Sequence, residues 1–243
     1  MLVRELTDLA AHHQAAALLE RIWRAPTVDA TTVHSLWHMG NYVAGAYDGD
    51  ELVGAAIGFF AADGYLHSHI TGIAPEHQGH GIGYALKQHQ RDWALARGRT
   101  AISWTFDPLI ARNAYFNLHK LGAVVTEYLP DFYGPMNDAI NAGDATDRLF
   151  VVWRLNDPVA PVPDETGAAV LLDAHGNAPA PGVRRGSRVV VATPQDIERM
   201  RAEDPALAIR WRTAVRDAMI GTLGAGYRVA GITKDGRYVL EAA

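Results

Sequence analysis

Cysteine is absent from all 243 residues. That excludes disulfides, thiolate metal sites and cysteine nucleophiles. Long apolar runs are absent too: no stretch approaches the roughly 18–20 residues that cross a bilayer. Met1 to Leu6 offers no basic segment followed by an apolar run, so no secretory signal is expected there. A basic surplus is also missing. The 22 Lys and Arg are outnumbered by 27 Asp and Glu, for a net charge of -5. That balance argues against a general nucleic-acid binder, though it leaves room for a local basic pocket. These absences lead to the expectation of a cytoplasmic protein with neither a nucleic-acid nor a membrane partner. What is present is globular in character: with 49% hydrophobic residues, a sizeable core can be buried. The length suits one large domain, or one domain with a smaller second one.

Apolar spacing predicts a helix over Leu6–Trp23, ended by Pro26. Two strands, 42–47 and 52–60, flank Asp48-Gly49-Asp50 and read as a hairpin. A further strand, 66–74, stops at Pro75. The next helix runs to about Arg97, with Ile82, Leu86, Trp93 and Ala96 on one face and Gly98 as its C-terminal cap. A short strand over 100–105 precedes Asp107-Pro108, read as N-cap and first turn of another helix. Ile110, Ala114, Leu118 and Leu121 form that helix's apolar face. Strands at 123–128 and 148–155 follow, and a first strand can lie at Leu2–Glu5. The expected class is α/β (α+β): a mixed, mostly antiparallel sheet flanked by helices.

Asn156 to Gly167 carries three prolines and reads as a linker. The expected domains are therefore 1–155, the linker 156–167, and a smaller α+β extension, 168–243. In the extension, strands at 168–173 and 188–192 precede helix starts at Thr193-Pro194-Gln195-Asp196 and Asp204-Pro205, and a hairpin turns at Asp235-Gly236. Leu207, Trp211, Ala214 and Ala218 give its second helix an apolar face. So small a unit should pack on the first domain or on a partner chain, so a homodimer is expected.

The chemistry-bearing stretch is Ile73-Ala74-Pro75-Glu76-His77-Gln78-Gly79-His80-Gly81-Ile82-Gly83. It leaves a strand and opens a helix. Alternating glycines let backbone N–H groups converge without side chains in the way, and the helix dipole adds positive potential. Such a cradle suits a pyrophosphate. No P-loop lysine follows, and the glycine spacing is not that of the dinucleotide fold.

Gln78-x-x-Gly81-x-Gly83, after a strand ending Ile73-Ala74-Pro75, resembles the acyl-CoA loop of the GNAT acyltransferases. The later Asn113-Ala114 … Lys120-Leu121-Gly122 segment is similar to the second signature of the same superfamily. The resemblance covers about residues 1–155. It implies an acyl-CoA-dependent N-acyltransferase using acetyl-CoA or succinyl-CoA, with no metal. Backbone groups at Ile73 would pair with the pantetheine arm. Gln78, Gly79, His80, Gly81, Ile82 and Gly83 would hold the pyrophosphate, with Asn113 near the pantetheine or thioester. The sequence departs from the pattern at Leu118, where many members carry a thiolate-protonating tyrosine. Tyr115, one turn earlier, is the remaining candidate, and His119 lies adjacent to the departed position. Trp104-Thr105-Phe106-Asp107-Pro108-Leu109, Asp147-Arg148-Leu149 and the long extension look like a bacterial subgroup, some of whose members N-succinylate D-amino acids. Arg112, Arg148 and Lys120 would be available for its carboxylates.

Amine acylation also needs a base. His67 and His69 sit two apart on one strand and so face one side; packing is the other role open to them. Trp104, Asn117 and Arg148 are the candidate acceptor contacts. Arg148 could grip a carboxylate in two-point fashion, although a surface salt bridge is the commoner fate of such an arginine. Asn113 and Asn117 would share a helix face. Two other classes are weighed. A metal hydrolase would use His34/His38 or His67/His69, but no His-Glu-x-x-His motif exists. A non-catalytic CoA- or ligand-sensing module would explain the missing tyrosine. The sequence alone does not choose the acceptor amine or the acyl donor.

Overall fold

The structure, a computed structural model, describes residues 1–136, 138, 141 and 143–243. Chain contacts divide it into two compact units. One comprises residues 1–104 with 154–156, the other 105–153 with 157–243.

The first unit contains β1 (Leu2–Glu5), α1 (Leu9–Trp23), α2 (Ala30–His38), β2 (Tyr42–Asp48), β3 (Glu51–Phe60), β4 (Leu66–Ile73), α3 (Ile82–Ala96) and most of β5 (Ala101–Phe106). The strands lie in the order β1-β2-β3-β4-β5. The first three pairings are antiparallel and β4–β5 is parallel. Asp8 caps α1 by accepting from Ala11 N at 2.8 Å, and Asp29 caps α2 through Thr31 N and Thr32 N. These carboxylates satisfy N–H groups the helices cannot satisfy themselves. Leu6 falls outside α1: it is buried, and its N–H bonds Val43 O at 3.0 Å.

Helices cover both faces of this sheet. A Cβ on Gly72 would meet Trp23, Ile22 and Leu19 of α1, whereas a Cβ on Gly54 would meet Leu86 and Ile82 of α3. Gly72 stands opposite Ala55, one residue on from Gly54, so these contacts lie on opposite faces. Ile82, Leu86 and Trp93 are buried as the spacing predicts. Ala96 is exposed, and Ala94 is buried in its place.

The second unit contains α4 (Ala111–Tyr115), which continues as a π-helical turn over Phe116–Lys120, then β6 (Val124–Leu129) antiparallel to β7 (Arg148–Arg154). Asn156 to Gly167 holds no helix or strand. There follow β8 (Ala169–His175), β9 (Ala178–Pro181), β10 (Arg188–Ala192), α5 (Ile197–Glu203), α6 (Pro205–Leu223), β11 (Tyr227–Ile232) and β12 (Arg237–Ala242). These strands form their own five-stranded sheet, ordered β11-β12-β10-β8-β9. The buried stripe of α6 is Ala208, Trp211, Arg212, Val215 and Met219. It is rotated from the expected Leu207-Trp211-Ala214-Ala218 face and packs on β8, β9, β10 and β11. That helix face therefore carries no argument for a partner chain.

Asp107 corrects another expectation. It caps no helix: it accepts from Leu109 N at 2.9 Å in a turn, and α4 begins only at Ala111. Its carboxylate instead joins a buried cluster with Asp144, Arg201 and Arg212. Arg212 reaches Asp107 through two hydrogen bonds of 2.9 Å and Asp144 Oδ2 at 3.0 Å. Arg201 bonds Asp107 and lies 3.1 Å from Asp144 Oδ2. Burial alone would raise the Asp107 carboxyl, but the Arg212 and Arg201 guanidiniums outweigh it and hold its pKa well below the usual range. Two cations and two anions cancel, which is what makes such burial tolerable.

Asp107→Ala should leave both guanidiniums short of a counter-charge and destabilise the protein by about 3–5 kcal/mol in urea titration. Asp107 has a depressed folded pKa, so its stabilisation is present above the unfolded carboxylate value of about 4. It should be lost as pH falls below that value. A flat acid-unfolding midpoint across wild type and variant would contradict this.

Candidate active site

After Ile73, Ala74 N bonds Val53 O at 2.9 Å and keeps the chain on the sheet. A single 3-10 turn over Pro75–His77 follows, then Gln78, whose Nε2 donates to Ile73 O at 3.3 Å and folds the loop back on its strand. Gly79 and Gly81 have φ of +83° and +79°, a region that favours glycine. A Cβ on either would meet nothing within 4 Å, so the loop's outer surface is open. Gly81 is the N-cap of α3 and offers no side-chain cap bond. The first N–H groups of α3 are thus available to an anion. This geometry suits a phosphate-type anion. Tyr84, at the start of α3, is exposed, and His80 Nδ1 lies 3.3 Å from His77 O.

β4 is irregular in two ways. Against β3 it carries one extra residue, His69, because Ile70 pairs with Ile57 while Ser68 pairs with Gly58. Against β5 it pairs only at Leu66↔Ile102 and His67↔Ser103. Beyond that point, from Ser68 to Ile73, its β5-side edge is unpaired within this unit. Such an edge accepts an extended guest.

His67 and His69 share the face expected of them. Both rings pack on Phe59, at centroid distances of 5.2 and 5.6 Å. His67 Nδ1 lies 3.3 Å from Ser103 Oγ, and burial with His69 and Lys87 nearby lowers its pKa to about 4. His69 is exposed along one side, and the protein packed against its other side lowers its pKa.

On the opposite face stands a group the sequence reading passed over. Lys87 of α3 is buried. Its Nζ donates to Ser68 Oγ at 2.8 Å and Gln90 Oε1 at 3.3 Å, and sits 4.0 Å from the centre of the Trp104 ring. Desolvation lowers its pKa to about 7. The available signal was Lys87 and Gln90 interrupting a helix stripe otherwise buried and apolar.

The remaining candidates lie in the second unit. Tyr115 is half-buried, with its ring 5.1 Å from that of His119, whose Nε2 accepts from Ile232 N at 3.0 Å. Asn113 is exposed and Asn117 buried: the change from α to π winding at Phe116 breaks their expected common face. Leu118 is buried. Arg112 pairs with Glu198 and Lys120 is exposed. Arg148 is not in a surface salt bridge. It is buried, donates to Asp147 O and Asn141 Oδ1 at 2.9 Å each, and lies 5.3 Å from the Tyr133 ring centre. Among the described residues no carboxylate forms an ion pair with it, and burial lowers its pKa.

Among the described residues, no group of three or more His, Asp or Glu side chains is arranged to hold a metal ion, and no helix is long and apolar enough to cross a membrane. A comparison with curated protein sequences found no match. Several solved structures share the fold. The protein yncA of Salmonella typhimurium, solved with its cofactor acetyl-CoA, is 22% identical, with a TM-score of 0.53 over 66% of this chain and 96% of that one. The ribosomal-protein-S18-alanine N-acetyltransferase of Escherichia coli is 16% identical, with a TM-score of 0.52 over 65% and 95%. An aminoglycoside 6'-acetyltransferase of type Ii is 20% identical, with a TM-score of 0.51 over 67% and 100%. Residues 2–122, which span the glycine loop, match the family model described as the acetyltransferase (GNAT) family. Residues 2–122 thus form a domain of the GNAT acetyltransferase family.

Proposed function

We propose that the chain acylates the amine of a small molecule of the amino-acid class, with acetyl-CoA or succinyl-CoA as donor. The observation that carries this reading is the open glycine cradle at Gln78–Gly83, continuous with a strand edge left unpaired from Ser68 to Ile73. The cradle's N–H groups would take the pyrophosphate and the strand edge the pantetheine arm. When bound, acyl-CoA supplies an activated acyl carbon and a thiol leaving group. The chain's own residues orient the donor and remove the amine proton. The acyltransferase domain is read as residues 1–155, with 156–167 as linker and 168–243 as extension.

His69 is the better base. Efficiency peaks when a base titrates near working pH, and a pKa of about 4 makes His67 a weak one. His69 also lies at the bulge, next to the unpaired edge. Arg148, buried with no carboxylate partner among the described residues, suits the carboxylate of an amino-acid acceptor. The family resemblance adds Asn113 as a donor contact and Tyr115 as proton donor. A CoA-binding module without catalysis is the other outcome, and a thiol-release screen of both donors against L- and D-amino acids and simple amines distinguishes them.

Gly81→Val places a side chain where φ is +79° and where the anion would sit. CoA affinity should fall by at least about tenfold with the circular dichroism unchanged. Undiminished affinity in a folded variant would sink the cradle assignment. For the base, His69→Ala should slow transfer by roughly a hundredfold while leaving CoA affinity intact. The base must be neutral to accept a proton, so the rate rises with pH through its pKa. The lowered pKa of His69 puts that limb below the ordinary histidine value of about 6.5. A limb at or above that value, or one that survives in the variant, would assign the proton elsewhere.

A further inference from the structure

Lys87 is a buried amine whose contacts include no carboxylate among the described residues: Ser68 Oγ, Gln90 Oε1 and the Trp104 ring face surround its Nζ. Burial disfavours its charged form, and an anion bound beside it would favour that form again. The Ser68 hydroxyl accepts from Lys87, and among the described residues its own hydrogen is given to no other side chain or backbone group. Gln90 Nε2, in the same cluster, is buried without a partner among the described residues. Ser68 is also the first residue of β4 beyond the last β5 pairing, at the mouth of the divergence.

Length adds a second argument. From Ile73 back to Ser68 is five residues of strand, about 17 Å at the usual rise, a span that an extended pantetheine arm covers. With the pyrophosphate at the loop after Ile73, the sulfur end of the arm arrives at Ser68. We propose that the Ser68–Lys87 pair holds the sulfur of CoA, Ser68 donating a hydrogen bond to the thiolate and Lys87 acting through it as a positioning residue that supplies the counter-charge. This rests on the acyl-CoA reading above. As the amine nitrogen bonds the acyl carbon, the carbon–sulfur bond breaks and its electron pair leaves on sulfur. The amine gives its proton to the base and the thiolate takes one from the proton donor or solvent, so the sum moves one proton from nitrogen to sulfur.

The test compares CoA with desulfo-CoA, in which hydrogen replaces the thiol, by calorimetry on the full chain at pH 7.5. Wild type should bind CoA at least about tenfold more tightly, with thiolate absorbance appearing on binding. Lys87→Met, similar in length, should lose the preference and the absorbance while keeping its affinity for desulfo-CoA. Ser68→Ala, a smaller change, should lose the preference as well and serves if the lysine variant does not fold. A purely structural lysine would lower the melting temperature in Lys87→Met and leave the CoA preference in place, which overturns the proposal. Equal binding of both ligands by wild type overturns the sulfur assignment alone. Failure of wild type to bind either one overturns the acyl-CoA reading, and this inference with it.

Discussion

The candidate site depends on one irregularity in hydrogen bonding: the extra residue at His69 in β4. Side chains on a strand alternate between faces, and a one-residue insertion reverses the alternation beyond it. Before the bulge, Ser68 faces α3 and His67 faces α1. After it, Ile70 and Gly72 face α1, and Ile73 turns to the α3 side, where a Cβ on Gly83 would meet its side chain. The same strand departs from β5 within two residues of the bulge. A regular β4 would have kept Ile73 on the histidine face, away from the loop that opens α3. A fully paired one would have left no edge for a guest.

The arrangement also separates charge. The histidines stand on one face of β4, against Phe59, and the only lysine in contact with the strand stands on the other among the described residues. Lys87 helps depress His67 across the strand. His69 sits at the bulge and is lowered by burial alone. In the second unit the opposite policy holds, since Asp107, Asp144, Arg201 and Arg212 neutralise one another in a buried knot. That knot withdraws Asp107 from any direct part in chemistry and ties the segment after β5 to α5 and α6.

Much of this was legible in the sequence because it rests on local rules. The hairpin at Gly49, the strand into Pro75, the glycine loop and the caps at Asp204 and Gly98 follow from turn and terminus chemistry. The failures share a cause. Asp29 followed by Thr31 and Thr32 was a cap signal, but the nine-residue α2 behind it is too short to register by periodicity. Asp107-Pro108 imitates a helix start, and only partners more than ninety residues away reveal its use. The α-to-π change that parts Asn113 from Asn117 is a matter of winding that residue spacing does not encode. The face of α6 was misjudged because Arg212, a buried member of the ion cluster, looks like a surface residue in sequence.

Lys87 is the hardest case and the most informative. At its position a Leu or Met would pack between α3 and the sheet without the desolvation cost of an ammonium, and buried ion pairs are often replaced by apolar residues with no loss of stability. Here there is not even a pair among the described residues. Hydrogen bonds to Ser68 and Gln90 and the Trp104 ring face compensate the ammonium among the described residues, and conflicts with local rules concentrate where function is built. Leu118 presents the complementary conflict. Where the family resemblance leads one to expect a proton-donating tyrosine, this chain has a buried leucine. Each is a place where the residue present departs from what local rules or the family resemblance lead one to expect.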